Sequence, residues 1–380
     1  MTGFGDKAIL LNQLQGESAV NQITNQQVLQ SMGWNEYFAN HFAPYAEQGY
    51  SVGRITLEHK RIYRLWSEHG ELLGEVTGKL RYEATGREDF PAVGDWVVIS
   101  ARPEEKKASI HGLLPRKSKF SRKVAGDTVE EQIVAANVDT VFLVNSLNND
   151  LNLRRMERYL ILAWESGANP VIVLSKADLC DDLDACMAEV ESVAIGVPVH
   201  VVSAEQGEGL DQLEPYLGEG QTIALMGSSG VGKSTLINKL SGAEMQKVSD
   251  VREGDDRGRH TTTHRELFRL PSGALMIDTP GMRELQLWEA DEGFRGAFDD
   301  IESIAETCRF NDCKHMREPG CAVQAAIRDG SLEKARFDSY LKLQRELAHL
   351  ARKEDARLAA AEREKWKKIN VQMKQKKPKR

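Results

Sequence analysis

The nine residues GSSGVGKST, Gly227 to Thr235, constrain the fold of this chain more than any other stretch. They match the pattern G-x-x-x-x-G-K-[ST] in full, which forms a phosphate-binding loop where a buried strand meets a helix. The apolar run TIALM precedes the motif and the helix-like run LINKLSG follows it. An ordinary glycine- and serine-rich turn is the alternative, and the flanks disfavour it. We therefore predict an α/β domain built around this loop.

Each part of this phosphate loop has a chemical role. Its glycines let backbone N–H groups turn toward phosphate oxygens at the N-terminus of a helix. Lys233 is expected to reach the β- and γ-phosphates, and the Ser234 hydroxyl to bind Mg²⁺. The predicted nucleotide-contacting residues are Gly227, Ser228, Ser229, Gly230, Val231, Gly232, Lys233, Ser234 and Thr235.

Two segments after the loop predict the rest of a nucleoside-triphosphate site. The run LMIDTPG places Asp278 at the end of a buried strand, where it can hold Mg²⁺ through water, and Gly281 can sense the γ-phosphate. Between the two lies the polar segment REGDDRGRHTTTHREL. It predicts a mobile switch in which Thr262 or Thr263 is the second Mg²⁺ ligand, although a plain surface loop has the same composition.

A base-recognition site is predicted before the phosphate loop rather than after it. The run VIVLSKADLC contains Ser175, Lys176, Ala177 and Asp178, close to the Asn-Lys-x-Asp pattern of guanine-reading sites. Asp178 can accept from N1–H and the 2-amino group of guanine, a donor pair that adenine lacks. Lys176 can lay its aliphatic stem along the base. Alone, SKAD is equally an ordinary strand-to-helix turn.

A second segment favours the base-site interpretation. Ser203-Ala204 follows the strand PVHVV and would offer a backbone N–H to the guanine carbonyl oxygen. In a parallel sheet the carboxyl ends of all strands meet at one edge, where ligands bind. The two segments can therefore converge on one nucleotide whatever their order in the chain.

The C-terminal third contains a predicted metal site. The run CRFNDCKHMREPGC holds Cys308, Cys313, His315 and Cys321, a complete tetrahedral Zn²⁺ set with no open position for catalysis. The run has little apolar material, so a metal would supply its cohesion. A disulfide with a free thiol is the alternative. Cys180 and Cys186 have no metal-like partners and are predicted to be ordinary buried or surface residues.

The remaining sequence suggests further domains. Short alternating segments such as GRITLEHKRIYRLW and GDWVVIS predict an OB-like antiparallel barrel. We predict a multidomain protein: an N-terminal extension (1–45), the OB-like barrel (46–128), a P-loop α/β domain (129–290), an α-helical zinc-binding domain (291–345) and a basic helical tail (346–380). No apolar run is long enough to span a membrane, and the N-terminus does not resemble a secretion signal, so a cytoplasmic protein is expected.

The charge distribution leaves nucleic-acid binding open. The net charge of -7 argues against a general nucleic-acid binder. Basic residues nevertheless cluster in the tail and in LLPRKSKFSRK, as Arg116, Lys117, Lys119, Arg122 and Lys123. Such patches can bind RNA on an acidic protein. For either patch alone, a solvated surface is the simpler interpretation.

The order of these motifs resembles a circularly permuted GTPase. With a barrel before them and a Cys/His cluster after them, residues 50 to 345 resemble the RsgA (YjeQ) family of GTPases that depend on the small ribosomal subunit. The resemblance implies GTP and GDP binding with Mg²⁺, GTP hydrolysis in late maturation of the 30S subunit, and contact with its 16S rRNA. The extension and the tail lie outside it. Ser175 departs from the family's asparagine, which puts an Asn-type base contact in doubt.

The same resemblance bears on hydrolysis. Met282 follows Gly281 and cannot orient water as the glutamine of Ras-like enzymes does. His260 resembles the histidine that the family is thought to use, although an exposed loop histidine is nearly as compatible with the sequence. Two other functions stay open: an RNA-binding checkpoint protein in which hydrolysis is secondary, and a P-loop ATPase, against which Asp178 argues. A monomer is expected.

Overall fold

A computed structural model of the chain describes residues 25–59, 61–123, 131–148, 151–242, 265–278, 291–316, 318–348 and 352. The chain divides into two compact units, residues 1–286 and residues 287–380. The described strands all belong to the first unit, and the described part of the second is helical. The finer domain boundaries expected from the sequence stay predictions.

Five strands close into a barrel in the first unit. They are β1 (Ser51–His59), β2 (Ile62–Ser67), β3 (Gly70–Val76), β4 (Trp96–Arg102) and β5 (Lys107–Leu113). Hydrogen bonds link them in the order β1-β2-β3-β5-β4, and β4 pairs back with β1. Helix α3 (Gly78–Glu83) and a 3₁₀ turn (Arg87–Asp89) lie between β3 and β4, and a second 3₁₀ turn (Pro103–Glu105) precedes β5. This closed barrel confirms the predicted OB-like module.

The segment before the barrel is helical where the structure describes it. Helix α1 is described over residues 25–30, and α2 spans Glu36–Ala46. Asn35 caps α2, because its side chain accepts from the Tyr37 N–H at 3.1 Å. The Trp34 ring lies 4.7 Å from that of Trp96 on β4, centroid to centroid, so the segment packs on the barrel through aromatic contacts. Residues 1–24 of the predicted extension lie outside the described residues.

The α/β part of this unit is a six-stranded sheet. Its strands are β8 (Thr140–Ser146), β9 (Asn169–Ser175), β10 (Val199–Val201), β11 (Thr222–Met226), β12 (Glu266–Arg269) and β13 (Leu275–Asp278). They lie in the order β10-β9-β8-β11-β13-β12, and all pairs are parallel except β12–β13. The helices are α4 (Leu153–Ser166), α5 (Leu183–Glu191) and α6 (Lys233–Ser241), with 3₁₀ turns at Ala177–Leu179 and Leu210–Tyr216.

Apolar packing on both faces explains why the central strands β8, β9, β11 and β13 of this sheet are mostly hydrophobic. Val141 and Leu143 of β8 belong to one core cluster, whereas the alternate residues Phe142 and Val144 belong to another. Successive strand residues point to opposite faces. Both faces of the sheet are therefore buried, as the sequence predicts for a parallel sheet.

The barrel and the α/β sheet are joined directly. Strand β12 pairs with β1 at Leu57 and Glu266, and Glu266 accepts from Arg64 of β2 at 2.9 Å. Deeper in the junction, the buried Arg54 guanidinium donates to Thr222 Oγ1 at 2.8 Å and to carbonyls on three other segments, those of Met32, Gly94 and Asn137. A separate hairpin of β6 (Lys119–Lys123) and β7 (Glu131–Ala136) links the two parts in sequence.

The second unit contains α7 (Asp291–Ala297), α8 (Asp299–Ala305), α9 (Ala322–Asp329) and α10 (residues 334–348). Buried Arg336 on α10 holds Asp300 of α8 with hydrogen bonds of 3.0 and 3.2 Å, and lies over the Phe298 ring. Most of the predicted tail lies outside the described residues. In the described part of the chain, no helix is both long enough and apolar enough to cross a membrane.

Candidate functional site

The phosphate-loop motif joins β11 to α6, as the sequence predicts. Gly230 and Gly232 have φ angles of 78° and 94°, in the left-handed region that glycine adopts without strain. At Gly227 there is no room for a side chain, because an added Cβ would lie 2.4 Å from the Val144 carbonyl oxygen. The loop therefore packs its backbone against the end of β8, and α6 begins directly after it, at Lys233.

Lys233 lies over this loop. Its Nζ donates to the Gly227 carbonyl at 2.8 Å and to the Ser228 carbonyl at 2.5 Å. The ammonium is thus held at the mouth of the loop, where the β- and γ-phosphates of a nucleotide would lie. Ser234 and Thr235 follow in the first turn of α6 and are half-buried.

Asp278 lies at the same edge of the sheet. It ends β13, which pairs in parallel with β11 through Ala224 and Ile277, so both strands deliver their carboxyl ends to one place. Its carboxylate is half-buried. The other residues predicted for Mg²⁺ and hydrolysis, Thr262, Thr263, Gly281 and His260, lie outside the described residues.

The base motif and the Ser-Ala segment meet, as predicted. Asp178 lies in a short 3₁₀ turn (Ala177–Leu179), and Lys176 precedes it with a left-handed φ of 59°. The hydroxyl of Ser203, which is fully buried, donates to Asp178 Oδ1 at 2.6 Å. The Ala177 N–H also donates to the Val202 carbonyl at 3.2 Å. We refer to residues Ser175–Leu179 as the base loop.

The structure refines which N–H in the Ser-Ala pair is available. The Ser203 N–H donates to the Glu208 carbonyl at 3.0 Å, and the Glu208 N–H donates back to Ser203 at 3.0 Å. This bridge closes a tight turn and occupies the Ser203 donor. Donation to a guanine carbonyl would therefore fall to Ala204 alone.

Ser175 has a different partner from the one that its place in the base motif suggests. Its side chain is 2% exposed, and its hydroxyl donates to the Val231 carbonyl of the phosphate loop at 2.6 Å. The same oxygen lies 3.2 Å from the Asn145 carbonyl oxygen. Because Ser175 ends β9 and Val231 lies in the loop after β11, this hydroxyl ties the base loop to the phosphate loop.

Asn145, near the end of β8, is a polar residue that the sequence-based prediction missed. It is 1% exposed, its Nδ2 donates to the Leu143 carbonyl at 3.1 Å, and its Oδ1 has no hydrogen-bond partner among the described residues. Its backbone carbonyl lies 3.2 Å from the Ser175 hydroxyl, so this buried residue adjoins the Ser175–Val231 contact. The sequence does offer a signal, because Asn145 directly follows the apolar run VFLV within the predicted strand.

The predicted zinc ligands converge in the second unit. The ligand atoms of Cys308, Cys313, His315 and Cys321 all lie within 4.8 Å of one another. Cys308 Sγ lies 3.9 Å from Cys321 Sγ, and His315 Nδ1 lies 3.5 and 3.6 Å from these two sulfurs. Tetrahedral Zn²⁺ with ordinary bond lengths requires S···S separations of about 3.8 Å and S···N separations of about 3.5 Å. The four side chains fit zinc, through the Nδ1 atom of the histidine.

The surroundings of the cluster hold its ligands in place. The Gln324 side chain donates to the His315 carbonyl at 2.7 Å, and the Glu318 carboxylate accepts from two backbone N–H groups of the loop. Burial lowers the pKa of His315, which favours the neutral imidazole that a metal ligand must have. Burial opposes ionisation of Cys308, but backbone N–H groups of α9 and the neighbouring thiols outweigh it and lower its pKa.

Comparison with known proteins decides the family. A family model described as RsgA GTPase matches residues 113–288. A relative from Opitutus terrae, named Small ribosomal subunit biogenesis GTPase RsgA, is 49% identical over 350 residues, which cover 90% of this chain and 95% of the relative. This chain belongs to the RsgA GTPase family. A relative from Oceanobacillus iheyensis, Small ribosomal subunit biogenesis GTPase RsgA 1, is 50% identical, with 85% of this chain and 92% of the relative covered.

Solved structures agree with membership of the RsgA family. YjeQ from Thermotoga maritima superposes with a TM-score of 0.60 at 27% identity, covering 79% of this chain and 99% of that one. YloQ, described as a circularly permuted GTPase, gives a TM-score of 0.58 at 26% identity, with coverages of 79% and 96%. The predicted permutation and GTPase activity are therefore confirmed. In this RsgA-family chain β9 and β10 precede the phosphate loop in sequence, yet end at the same sheet edge.

The basic cluster at residues 116–123 proves to be largely paired with acidic residues of the protein itself. Arg116 donates to both carboxylate oxygens of buried Asp95, at 2.8 and 2.7 Å. The ammonium groups of the next two cations bind nearby carboxylates, in the pairs Lys117–Asp139 and Lys119–Glu131. The Arg116–Asp95 pair is buried and structural, unlike the solvated surface of the simpler interpretation, whereas Lys117 and Lys119 lie at the surface as that interpretation expects.

Proposed function

We propose that this RsgA-family protein hydrolyses GTP during late maturation of the small (30S) ribosomal subunit, binds the subunit through its 16S rRNA, and leaves after hydrolysis. The names of the relatives support the process, and one of these relatives is covered over 95% of its length. The observation that carries the nucleotide assignment is the 2.6 Å contact of Ser203 with Asp178 beside the phosphate loop.

The base loop supports guanine over adenine. With one oxygen of Asp178 fixed by Ser203, the carboxylate is oriented to accept from N1–H and the 2-amino group, which only guanine offers together. Lys176 would cover the face of the base with its stem, and Ala204 would donate to the carbonyl oxygen. Ser175 would contribute to nucleotide binding by holding the Val231 carbonyl of the phosphate loop. Asp178 disfavours the alternative of a P-loop ATPase.

The phosphate site supports Mg²⁺-dependent hydrolysis. Ser234 would bind Mg²⁺ directly and Asp278 through water, with Thr262 or Thr263 as a further ligand. When bound, the ion neutralises charge on the β- and γ-phosphates. Lys233 would bind the same oxygens, Gly281 would sense the γ-phosphate, and His260 would orient the attacking water.

The proposed binding partners are inferred from membership of the RsgA family and not from a binding surface of this structure. We propose that the barrel, the zinc-binding domain and the tail contact rRNA, with structural Zn²⁺ held by the three cysteines and His315. The internal pairing of Arg116, Lys117 and Lys119 gives no support to RNA binding by that cluster. A checkpoint protein in which hydrolysis is secondary is not favoured, because the family and its named relatives are GTPases. The protein is proposed to act as a cytoplasmic monomer.

Asp178→Asn tests the assignment of the base site. An amide can donate to the 2-carbonyl of xanthine and accept from its N1–H, but it cannot accept from both donors of guanine. The variant should lose GTP binding and gain XTP binding, and XTP should then support hydrolysis that 30S subunits stimulate. Asp181→Asn, the same change at an exposed position three residues away, should keep GTP binding. Unchanged GTP binding by Asp178→Asn would refute the assignment.

A further inference from the structure

Two cysteines outside the GTPase machinery lie side by side at the end of the base loop. Cys180 follows the loop directly, and Cys186 lies in the N-terminal half of α5. Their sulfur atoms are 3.8 Å apart, and both thiols are free. Both side chains are half-buried and pack against the main core of the α/β sheet. The sequence predicted ordinary residues here, because five residues of separation say nothing about sulfur contact.

The two sulfurs differ in how firmly the backbone holds them. The Cys186 N–H donates to the Asp182 carbonyl at 3.2 Å, and the Asp182 side chain caps the helix through the Ala185 N–H at 3.1 Å. Cys180 instead ends a single 3₁₀ turn, with its N–H donating to the Ala177 carbonyl at 3.2 Å. A disulfide requires a separation of about 2.05 Å, so the sulfurs must approach by about 1.8 Å. Side-chain rotation supplies part of this approach, and the backbone movement that remains falls on Cys180, since α5 holds the Cys186 backbone.

We propose that Cys180 and Cys186 form a reversible disulfide that weakens guanine-nucleotide binding. This control rests on the proposed function, because it acts on the same base site. The disulfide would displace the end of the base loop two residues from Asp178. A shift of even part of 1.8 Å is large against the 2.6 Å contact between Asp178 and Ser203. GTP and GDP should be affected alike, because they carry the same base.

The oxidant would be a hydroperoxide, and its reaction with the pair balances in two steps. The Cys180 thiolate attacks the peroxide, so that an S–O bond forms, the O–O bond breaks, and the released oxygen takes a proton from solvent and leaves as water or alcohol. The Cys186 thiol then attacks the sulfenic sulfur: an S–S bond forms, the S–O bond breaks, and the departing hydroxyl leaves as water with the proton of Cys186. A dithiol reductant reverses the result, its own sulfurs becoming the disulfide.

The order of these two steps follows from the environment of the pair. Burial, together with the hydrogen bond and the charge of the Cys180 sulfur, raises the pKa of Cys186. The raised pKa favours the thiol form of Cys186, so the first oxidation is assigned to Cys180. That sulfur is also the one joined directly to the base loop.

The test uses the full-length zinc-loaded protein, reduced with dithiothreitol or treated with hydrogen peroxide. Peptide mass spectrometry locates the disulfide, and a fluorescent GDP analogue reports affinity. Peroxide should link Cys180 to Cys186 and weaken GDP binding about tenfold, and dithiothreitol should restore it. Cys186→Ser, which retains the zinc cysteines but cannot close the disulfide, should keep its affinity after the same treatment.

Three results would overturn the inference: no Cys180–Cys186 disulfide, a disulfide without loss of affinity, or an equal loss in Cys186→Ser. The last would assign the effect to oxidation that needs no Cys180–Cys186 disulfide, at Cys180 itself or at the zinc cysteines. Failure of the reduced wild-type protein to bind GTP or GDP would instead refute the proposed function. The disulfide map separates that failure from the failure of the redox chemistry, because it does not depend on nucleotide binding.

Discussion

Ser175→Ala removes one hydroxyl and tests whether the tie between base loop and phosphate loop supports nucleotide binding. The hydroxyl donates to the Val231 carbonyl at 2.6 Å in a site that is 2% exposed, so water has little access to replace it. A buried carbonyl that loses its donor costs about 1–3 kcal/mol. Val231 lies within the phosphate loop, so the cost falls on the loop conformation that binds phosphate. We expect Kd for GTP and GDP to rise about tenfold, equivalent to about 1.4 kcal/mol.

Selectivity and rescue make this prediction specific. The preference for GTP over ATP should persist, because Asp178 and Ser203 are untouched. Ser175→Asn should restore affinity, since an amide N–H can also donate to Val231. Calorimetric titration measures each Kd, and Ser166→Ala is the matched control. Ser166 is also buried and donates to a carbonyl at 2.6 Å, but at the end of α4. Wild-type affinity in Ser175→Ala, or an equal loss in Ser166→Ala, would refute the reasoning.

Three further changes test other parts of the structure. Gly227→Ala places a Cβ 2.4 Å from the Val144 carbonyl oxygen, so the variant should lose about 1–3 kcal/mol of stability in thermal unfolding and should no longer bind nucleotide. Gly112→Ala, whose Cβ would have no atom within 4 Å, should change neither the unfolding nor the binding. Arg54→Ala should lower the free energy of urea unfolding by at least about 3 kcal/mol, because each orphaned buried acceptor costs about 1–3 kcal/mol; a loss below 1 kcal/mol would contradict the network. Chelation of zinc, or Cys308→Ser, should reduce helical circular dichroism from the C-terminal unit and leave GDP affinity within about twofold, and a fully retained helical signal would argue against a structural metal.

Much of the site could be predicted because its chemistry is local in sequence. The phosphate loop needs glycines, lysine and serine at fixed spacing between a strand and a helix. The zinc cluster likewise falls within fourteen residues, from Cys308 to Cys321. In both cases the backbone path between the functional residues is short, so spacing alone determines geometry.

The contacts that were missed join residues far apart in the chain. Ser175 and Val231 are separated by 56 residues, and their hydrogen bond depends on the packing of two strand ends on either side of β8. The engagement of the Ser203 N–H with Glu208 depends on a turn whose closure the sequence does not specify. Arg54 resembles an ordinary exposed strand cation in the sequence, yet it is buried because four segments surround it with acceptors.

The pairing of β12 with β1 also limits how the protein can be divided. A strand at the edge of a sheet exposes unpaired N–H and C=O groups that can pair with another chain. In the intact protein β1 of the barrel pairs with that edge of β12 at Glu266, and the Arg64–Glu266 ion pair joins the two parts at the same place. An isolated α/β fragment would lose this pairing and expose an edge strand whose N–H and C=O groups can pair with another copy. When expressed alone, the fragment should therefore self-associate through this strand. In the intact protein the barrel prevents that association.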